Sequence, residues 1–237
     1  MAYFLDQDRH REPEVMDQPD LPEPEHVEAL RGLARLNALS RSAQILWLPI
    51  RRQARRRRAS RPLRLLDIAC GGGDVPLRLW KLAQRQNLPL EIAGCDVSRT
   101  ALKYAREQAE EAGAEINYFR CDVLSDEFTG RYDIVSCSLF LHHLGDRAAV
   151  SVLGRMAAVG RTVLVSDLDR SRLGYLLALL GSRVATRSPV VHIDALRSVR
   201  AAYTPREVRH LAEHAGLRGV SVHRKFPCRM LLCWRRR

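Results

Sequence analysis

The sequence predicts an α/β fold: a doubly wound, mostly parallel sheet finished by an antiparallel C-terminal hairpin, with a helical N-terminal cap. Three observations predict it. From residue 63 onward, short apolar runs alternate with helical stretches of ten or more residues, the rhythm of βαβ units. The first of these runs ends in three consecutive glycines, 71–73, that lead straight into a helix. The last two β-type runs, Gly219–Phe226 and Arg229–Trp234, are joined only by Pro227-Cys228. That connection is too short for a parallel crossover, so the two strands must be antiparallel.

The elements follow in order. Residues 1–24 carry four prolines among acidic residues and read as an irregular arm. From Glu25 to Leu48 the pattern is helical, with Val27, Leu30, Leu33, Leu36 and Leu39 at three-residue steps, and Pro49 is expected to interrupt it. Arg51–Arg61 reads as a basic linker. Strands are expected at Leu63–Ala69, Leu90–Cys95, Ile116–Cys121, Tyr132–Ser138 and Arg161–Ser166. Between them come a helix from about Asp74, one capped by Ser98 and closed by Gly113, and one capped by Asp146 that runs to Gly160. Thr204-Pro205-Arg206-Glu207 has the form of a capping box, opening a helix that stops at Gly216. Residues 170–200 do not fit the rhythm. The expected organisation is therefore an arm and helical cap over 1–60 and a main domain over 61–237, with a cover inserted at about 170–203.

Composition sets the class. The chain has 237 residues, 46% of them hydrophobic and 28% charged, which suits one packed soluble domain with a cap. No apolar run approaches the roughly 18 residues of a membrane span, and the acidic N-terminus does not read as a secretory signal. The six cysteines form no CxxC pair, so reduced thiols in a cytoplasm are expected, with no zinc site or disulfide framework; His142, His143 and Asp167 could meet at a metal but lack a recognised spacing, so no metal site is expected. The net charge is +12, almost wholly from arginine. The cluster Arg51–Arg58 lacks the interleaved aromatics that would stack bases, so sequence-specific nucleic-acid binding is not expected. Weak contact with an anionic membrane surface is compatible with it. Oligomeric state is not legible.

The chemistry centres on Leu65-Leu66-Asp67-Ile68-Ala69-Cys70-Gly71-Gly72-Gly73-Asp74. A strand ends in a glycine turn that lets a ligand approach the backbone. Dinucleotide sites use GxGxxG; here the third glycine position is Pro76, and Asp74 would set a negative charge beside a pyrophosphate. The row resembles motif I of class I S-adenosylmethionine-dependent methyltransferases, commonly LDxGxGxG, with Asp67, Gly71 and Gly73 matching and Ala69 at the first glycine. Asp96, in AGCDVS, resembles the acidic residue whose oxygens accept from the ribose hydroxyls. Cys121-Asp122-Val123 resembles the segment whose aspartate accepts from the adenine amino group. Tyr132–Ser138 resembles the strand that ends under the methyl donor. The four landmarks keep the family order across about residues 63–145. The resemblance implies a Rossmann-like fold and S-adenosyl-L-methionine as cofactor. It implies a cofactor crevice formed by Asp67, Ala69, Gly71, Gly73, Asp96, Val97, Asp122, Val123 and Ser138.

SLFLHHL after the fourth strand, and SDLDRS after the fifth, look most like the small-molecule branch that includes quinone and polyketide enzymes. The Asn/Asp-Pro-Pro-Tyr row of DNA and protein-glutamine N-methyltransferases is absent at Ser138-Leu139-Phe140. The expected reaction is O-methylation of a small, apolar phenolic, polyketide or quinone-like acceptor, aromatic or lipid-like. The alternatives are C-methylation of such a ring, an RNA- or membrane-binding protein that retains a cofactor fold, and an NAD(P)-dependent oxidoreductase. A phenol, with a pKa near 10, benefits from a base, and histidine is the natural choice. His143 is the first candidate, then His192 with Asp194 as its orienting partner, then His142. Bracing of the loop is the competing role for His142 and His143. Ile45–Leu48 together with Leu173, Leu176, Leu177 and Leu180 are expected to form a greasy cover.

Overall fold

A computed structural model describes residues 9–18, 20–56 and 61–236. After a 3-10 turn at Val15–Asp17 come α1 (Glu23–Leu39), α2 (Ser42–Arg56), β1 (Leu63–Ile68), α3 (Asp74–Arg85), β2 (Leu90–Asp96), α4 (Arg99–Glu111), β3 (Ile116–Arg120) and β4 (Tyr132–Ser138). A second 3-10 turn, Leu141–His143, leads to α5 (Asp146–Val159), β5 (Gly160–Leu168), α6 (Arg172–Ala185), α7 (Pro189–Ala201), α8 (Pro205–His214), β6 (Ser221–Lys225) and β7 (Arg229–Arg235). The seven strands lie in the order β3-β2-β1-β4-β5-β7-β6. The first five are parallel, β7 runs antiparallel beside β5, and β6 pairs antiparallel with β7. The expected fold class is the observed one.

The central strands are buried on both faces, so they read as continuous apolar runs rather than alternating ones. Leu66, Ile68, Val135, Cys137, Val163 and Val165 point to the face covered by α5 and α8. Leu65, Ile134 and Leu164 point to the face covered by α2 and α3. The order of strands reverses between β1 and β4, and there the carboxyl ends of the strands leave a crevice.

Four local expectations are corrected. The first helical segment does not end at Pro49. It breaks earlier, at Ser40-Arg41, where Arg41 takes φ 58°, and a second helix runs through Pro49 to Arg56. Proline costs about 3 kcal/mol inside a helix. Ile45, Leu46, Trp47 and Ile50 are all buried on the same helix, at about 1.5–3 kcal/mol each, so burial outweighs the proline. The same burial removes Ile45, Leu46 and Trp47 from the expected cover: they belong to the core beneath the sheet, and Leu48 alone of that run is exposed. Arg51, Arg52, Arg55 and Arg56 extend α2 instead of forming a linker, and basic residues in a last turn suit the helix dipole. Arg57 and Arg58 lie outside the described residues. Finally, Gly145 is the residue that caps α5; Asp146 is its first residue and accepts the Tyr203 hydroxyl proton at 2.9 Å.

The arm is not free. The His10 N–H donates to the Arg200 carbonyl at 3.1 Å, and Asp194 accepts the Val15 and Met16 N–H groups at 2.8 and 3.0 Å. The cover segment is two helices, α6 and α7, with α6 packed on α1. The capping box of α8 forms as read from Thr204 and Glu207.

Pro49→Ala is expected to raise unfolding free energy by about 1–3 kcal/mol, since it restores a helix donor while leaving the buried face intact. Urea denaturation measures it; unchanged or lower stability would show that the helix is built around the proline.

Candidate active site

A cavity of about 1200 Å³ opens at the carboxyl ends of the parallel strands. Its floor is built by the turns that follow them: Asp67 to Gly72 after β1, Asp96 to Ser98 after β2, Cys121 to Leu124 after β3, and Ser138 to Phe140 after β4. Leu30, Leu33 and Leu36 of α1 and Leu173 and Leu177 of α6 form the opposite wall. Leu176 and Leu180, expected in the cover, point outward and are about half exposed.

The glycine turn is the most constrained part. Ala69 sits at φ 49°, a left-handed position that disfavours a Cβ and where the family pattern has glycine. Gly71 (φ 53°) has nothing within 4 Å of where a Cβ would stand, so its bare Cα faces open cavity. Gly73 differs. A Cβ there would lie 2.5 Å from the Tyr118 hydroxyl, so this glycine serves packing of β3 against the turn and does not line the cavity.

Asp96 ties two turns together: one carboxylate oxygen accepts the Gly71 N–H at 2.8 Å and the other the Ser98 N–H at 2.9 Å. Each oxygen keeps a lone pair for a ligand. Asp122, with Oδ1 accepting the Leu124 N–H at 2.9 Å, and Val97 and Val123 line the same crevice. Ser138 lies at the end of β4, its hydroxyl buried and unpaired among the described residues.

Asp67 is fully buried and accepts the Ser136 hydroxyl at 2.5 Å. Burial pushes its pKa up to about 7, with Asp74 and Asp96 adding repulsion. Asp74, the first residue of α3, is raised by burial too, although Asn37 Nδ2 donates to it at 3.2 Å. Asp96 is raised for the same first reason. Three carboxyl groups therefore crowd one end of the cavity. Such a site favours a cationic ligand and disfavours a pyrophosphate.

The histidines are arranged differently from the sequence reading. His142 is buried, and its Nδ1 lies 2.7 Å from Asp167. Its Nε2 lies 3.5 Å from Glu14. The two carboxylates, Asp167 above all, overcome desolvation and lift the imidazole to about 10. His143 is a quarter exposed on the cavity wall, with Nδ1 3.1 Å from Asp17 and Nε2 3.8 Å from Glu14. His192 is outside: Nε2 lies 2.9 Å from the Thr186 carbonyl and does not line the cavity. The expected His192–Asp194 pair does not form. Both residues lie on α7, and positions two apart on a helix point to opposite sides. Asp194 instead anchors the arm.

Glu14, Asp17 and Asn37 were not among the expected site residues, and Asp167 entered only as a third group of the metal site that was not expected. The first three come from the arm and α1, and nothing local in the sequence announces which acid of an acidic arm reaches a histidine 128 residues on. Asp167 had a readable signal: it ends the β5 strand beside β4, next to the His142 turn.

Comparison with known proteins decides the kind of domain. Residues 65–162 match the family described as "Methyltransferase domain". Residues 65–162 thus carry the sequence of a methyltransferase domain. The ubiquinone biosynthesis O-methyltransferase of Methylococcus capsulatus is 34% identical over 125 residues, covering 52% of this chain and 50% of that one. That of Alkalilimnicola ehrlichii is 38% identical over 122 residues, covering 50% and 47%. The chain thus spans about half the length of these curated relatives. Among solved structures, magnesium protoporphyrin IX methyltransferase from Synechocystis superposes with a TM-score of 0.58 at 17% identity, covering 84% of this chain and 83% of that one, which concerns the fold alone. The methyltransferase domain spans β1 to β5; the arm, α1, α6 and α7 supply the rest of the cavity wall.

Two glycine variants separate the roles in the turn. Gly71→Ala is expected to cost about 1 kcal/mol of stability, from the positive φ alone, and to weaken ligand binding at the turn. Gly73→Ala is expected to cost well over 1 kcal/mol because Tyr118 must move. Thermal melts and ligand titrations of both variants check this; equal destabilisation would refute the division. For Asp67, a carboxyl whose folded pKa is raised contributes stability that is full below about pH 4 and lost as pH rises through about 7. The stability of the wild type relative to Asp67→Asn should therefore fall over that window, and a flat difference would remove the assignment.

Proposed function

We propose that the chain is an S-adenosylmethionine-dependent methyltransferase that methylates an oxygen of a small, apolar, quinone-like or phenolic acceptor. One observation carries the reading: the acidic crevice at the glycine turn and an apolar chamber holding the His142-His143 turn are a single cavity. The cofactor carries a sulfonium and an ammonium, which suit the Asp67, Asp74 and Asp96 carboxyls; NAD brings two phosphates, which do not. A volume of about 1200 Å³ has room for a second ligand, since single-ligand pockets span about 300–1000 Å³. The names of the quinone-pathway relatives support the acceptor class.

In this reading Asp96 accepts from the ribose hydroxyls, Asp122 lies toward the adenine, Val97 and Val123 flank the base, and Gly71 lets the methionyl part pass close to the backbone. Bound S-adenosylmethionine supplies an activated methyl group. The protein aligns the acceptor oxygen with it and excludes water through α1, α6 and α7. The acceptor O–H loses its proton to the histidine turn, with His143 Nε2 the accepting atom and Asp17 fixing the ring through Nδ1. The new C–O bond takes the methyl group as the S–CH3 bond breaks. The products are a methyl ether, S-adenosylhomocysteine and one proton. No helix among the described residues is long and apolar enough to cross a membrane. A cytoplasmic location belongs to the same proposal.

Calorimetric titration with S-adenosylhomocysteine and with NAD is expected to show binding of the first alone. Asp96→Asn should weaken it by about 2–4 kcal/mol, at about 1.5–3 kcal/mol per hydrogen bond to a charged acceptor. His143→Ala should leave that affinity intact and lower turnover about 10²–10⁴-fold at neutral pH, less at high pH where the phenol ionises unaided. Binding of NAD instead, or a methyl found on ring carbon, would overturn the cofactor or the oxygen assignment respectively.

A further inference from the structure

The turn Leu141–His143 does something the methyl-transfer reading does not require. Both imidazoles have Nδ1 against a carboxylate, Asp167 for His142 at 2.7 Å and Asp17 for His143 at 3.1 Å. On binding an ion, a ring held this way gives up any proton on Nε2 and keeps the one on Nδ1, so that the Nε2 lone pair faces the ion. Both Nε2 atoms then face one oxygen, Glu14 Oε1, at 3.5 and 3.8 Å, and the three atoms lie within 4.8 Å of one another. These separations are long for hydrogen bonds. They are close to the edge of a tetrahedron around an ion with ligands at about 2.0–2.1 Å, which is about 3.3 Å. Among the described residues Glu14 forms ion pairs with these two histidines alone, and Ser198 donates to the same oxygen.

We propose that Glu14 Oε1, His142 Nε2 and His143 Nε2 bind a divalent cation of the zinc class inside the cavity, with Asp167 and Asp17 as the carboxylates that orient the two rings. Two imidazoles and one carboxylate suit a borderline cation such as zinc or cobalt rather than calcium, which takes six or more oxygens. With neutral rings the five groups carry a charge of −3, and a divalent ion reduces this to −1. Three protein ligands leave a position open, and all three ligands line the cavity, so that position faces the chamber. With the ion bound, His143 Nε2 is a ligand and no longer the proton acceptor; an acceptor oxygen at the open position then loses its proton more readily, to solvent. This last step rests on the proposed acceptor chemistry; the binding of the ion does not. The arrangement also explains the anchoring of the arm. Asp194 fixes Val15 and Met16, while Arg9 and Arg11 hold the carbonyls of His142, Leu144 and His143 at 2.6, 2.7 and 3.0 Å, which sets Glu14 against the turn.

The test uses the full chain, stripped with a chelator and titrated with Zn²⁺ by calorimetry and with Co²⁺ by visible absorption. One equivalent is expected, with a cobalt spectrum of a low-coordinate nitrogen and oxygen site. Glu14→Gln and His143→Ala should each abolish it, and Asp17→Asn, at an exposed residue, should weaken it about 10–100-fold. His210 and His214 meet edge to face on the exposed face of α8 and could capture metal on their own, so His214→Ala is the control, and the equivalent must survive it. No uptake, uptake lost in His214→Ala, or uptake kept in Glu14→Gln and His143→Ala would each overturn the proposal. If those two variants fail to fold, unchanged affinity in Asp17→Asn would overturn it instead. S-adenosylhomocysteine binding measured on the same metal-free sample keeps failure of the cation site separate from failure of the methyltransferase reading.

Discussion

The Asp96 carboxylate holds the site together. Its two oxygens accept N–H groups from the turns after β1 and β2, at 2.8 and 2.9 Å, and so hold the β1–β2 side of the crevice in place. A side chain doing this from half-burial is costly: its carboxyl is pushed up by desolvation, and Asp67 and Asp74 are crowded beside it. The protein keeps three acids there in spite of the cost. Their hydrogen bonds to Gly71, Ser98, Ser136 and Asn37 offset part of it, and a ligand carrying positive charge beside them would offset more.

The second constraint is non-local. The methyltransferase domain contributes the floor of the cavity, but the groups that meet the His142-His143 turn arrive from the N-terminal arm, held by α7. Arm, cover and floor are thereby one unit. Asp194 anchors the arm, Glu14 and Asp17 reach the histidines, and Arg9 closes on the carbonyls behind them. The apolar side of the chamber comes from α1 and α6, which pack on each other. Much of the chamber wall in this chain accordingly comes from residues outside the 65–162 family match.

Much of this was legible in the sequence, for physical reasons that differ by element. The strands were readable because each is a short apolar run bounded by glycine, proline or a capping residue, and the hairpin because two residues allow no other connection. The glycine turn with Ala69 and Gly71 was readable from local backbone chemistry, whereas Asp96 and Asp122 came from the family resemblance; all four line the cavity. The α1–α2 break was missed because a proline was weighed without the burial of Leu46 and Ile50 that overrides it. His192 and Asp194 were paired because residues 170–200 were assigned no element, and on the helix they form, neighbours two apart cannot meet. Glu14 was missed because its partner is set by how the arm folds back, and nothing in the residues around it encodes that path.

The central claim is that the acidic crevice receives S-adenosylmethionine. A crystal structure of the chain with S-adenosylhomocysteine tests it most directly. The account predicts both ribose hydroxyls within hydrogen-bond distance of the Asp96 carboxylate, the adenine toward Asp122, and the sulfur facing the chamber beside Ser138 and the histidine turn. Ligand bound elsewhere, or a ribose turned away from Asp96, would contradict it.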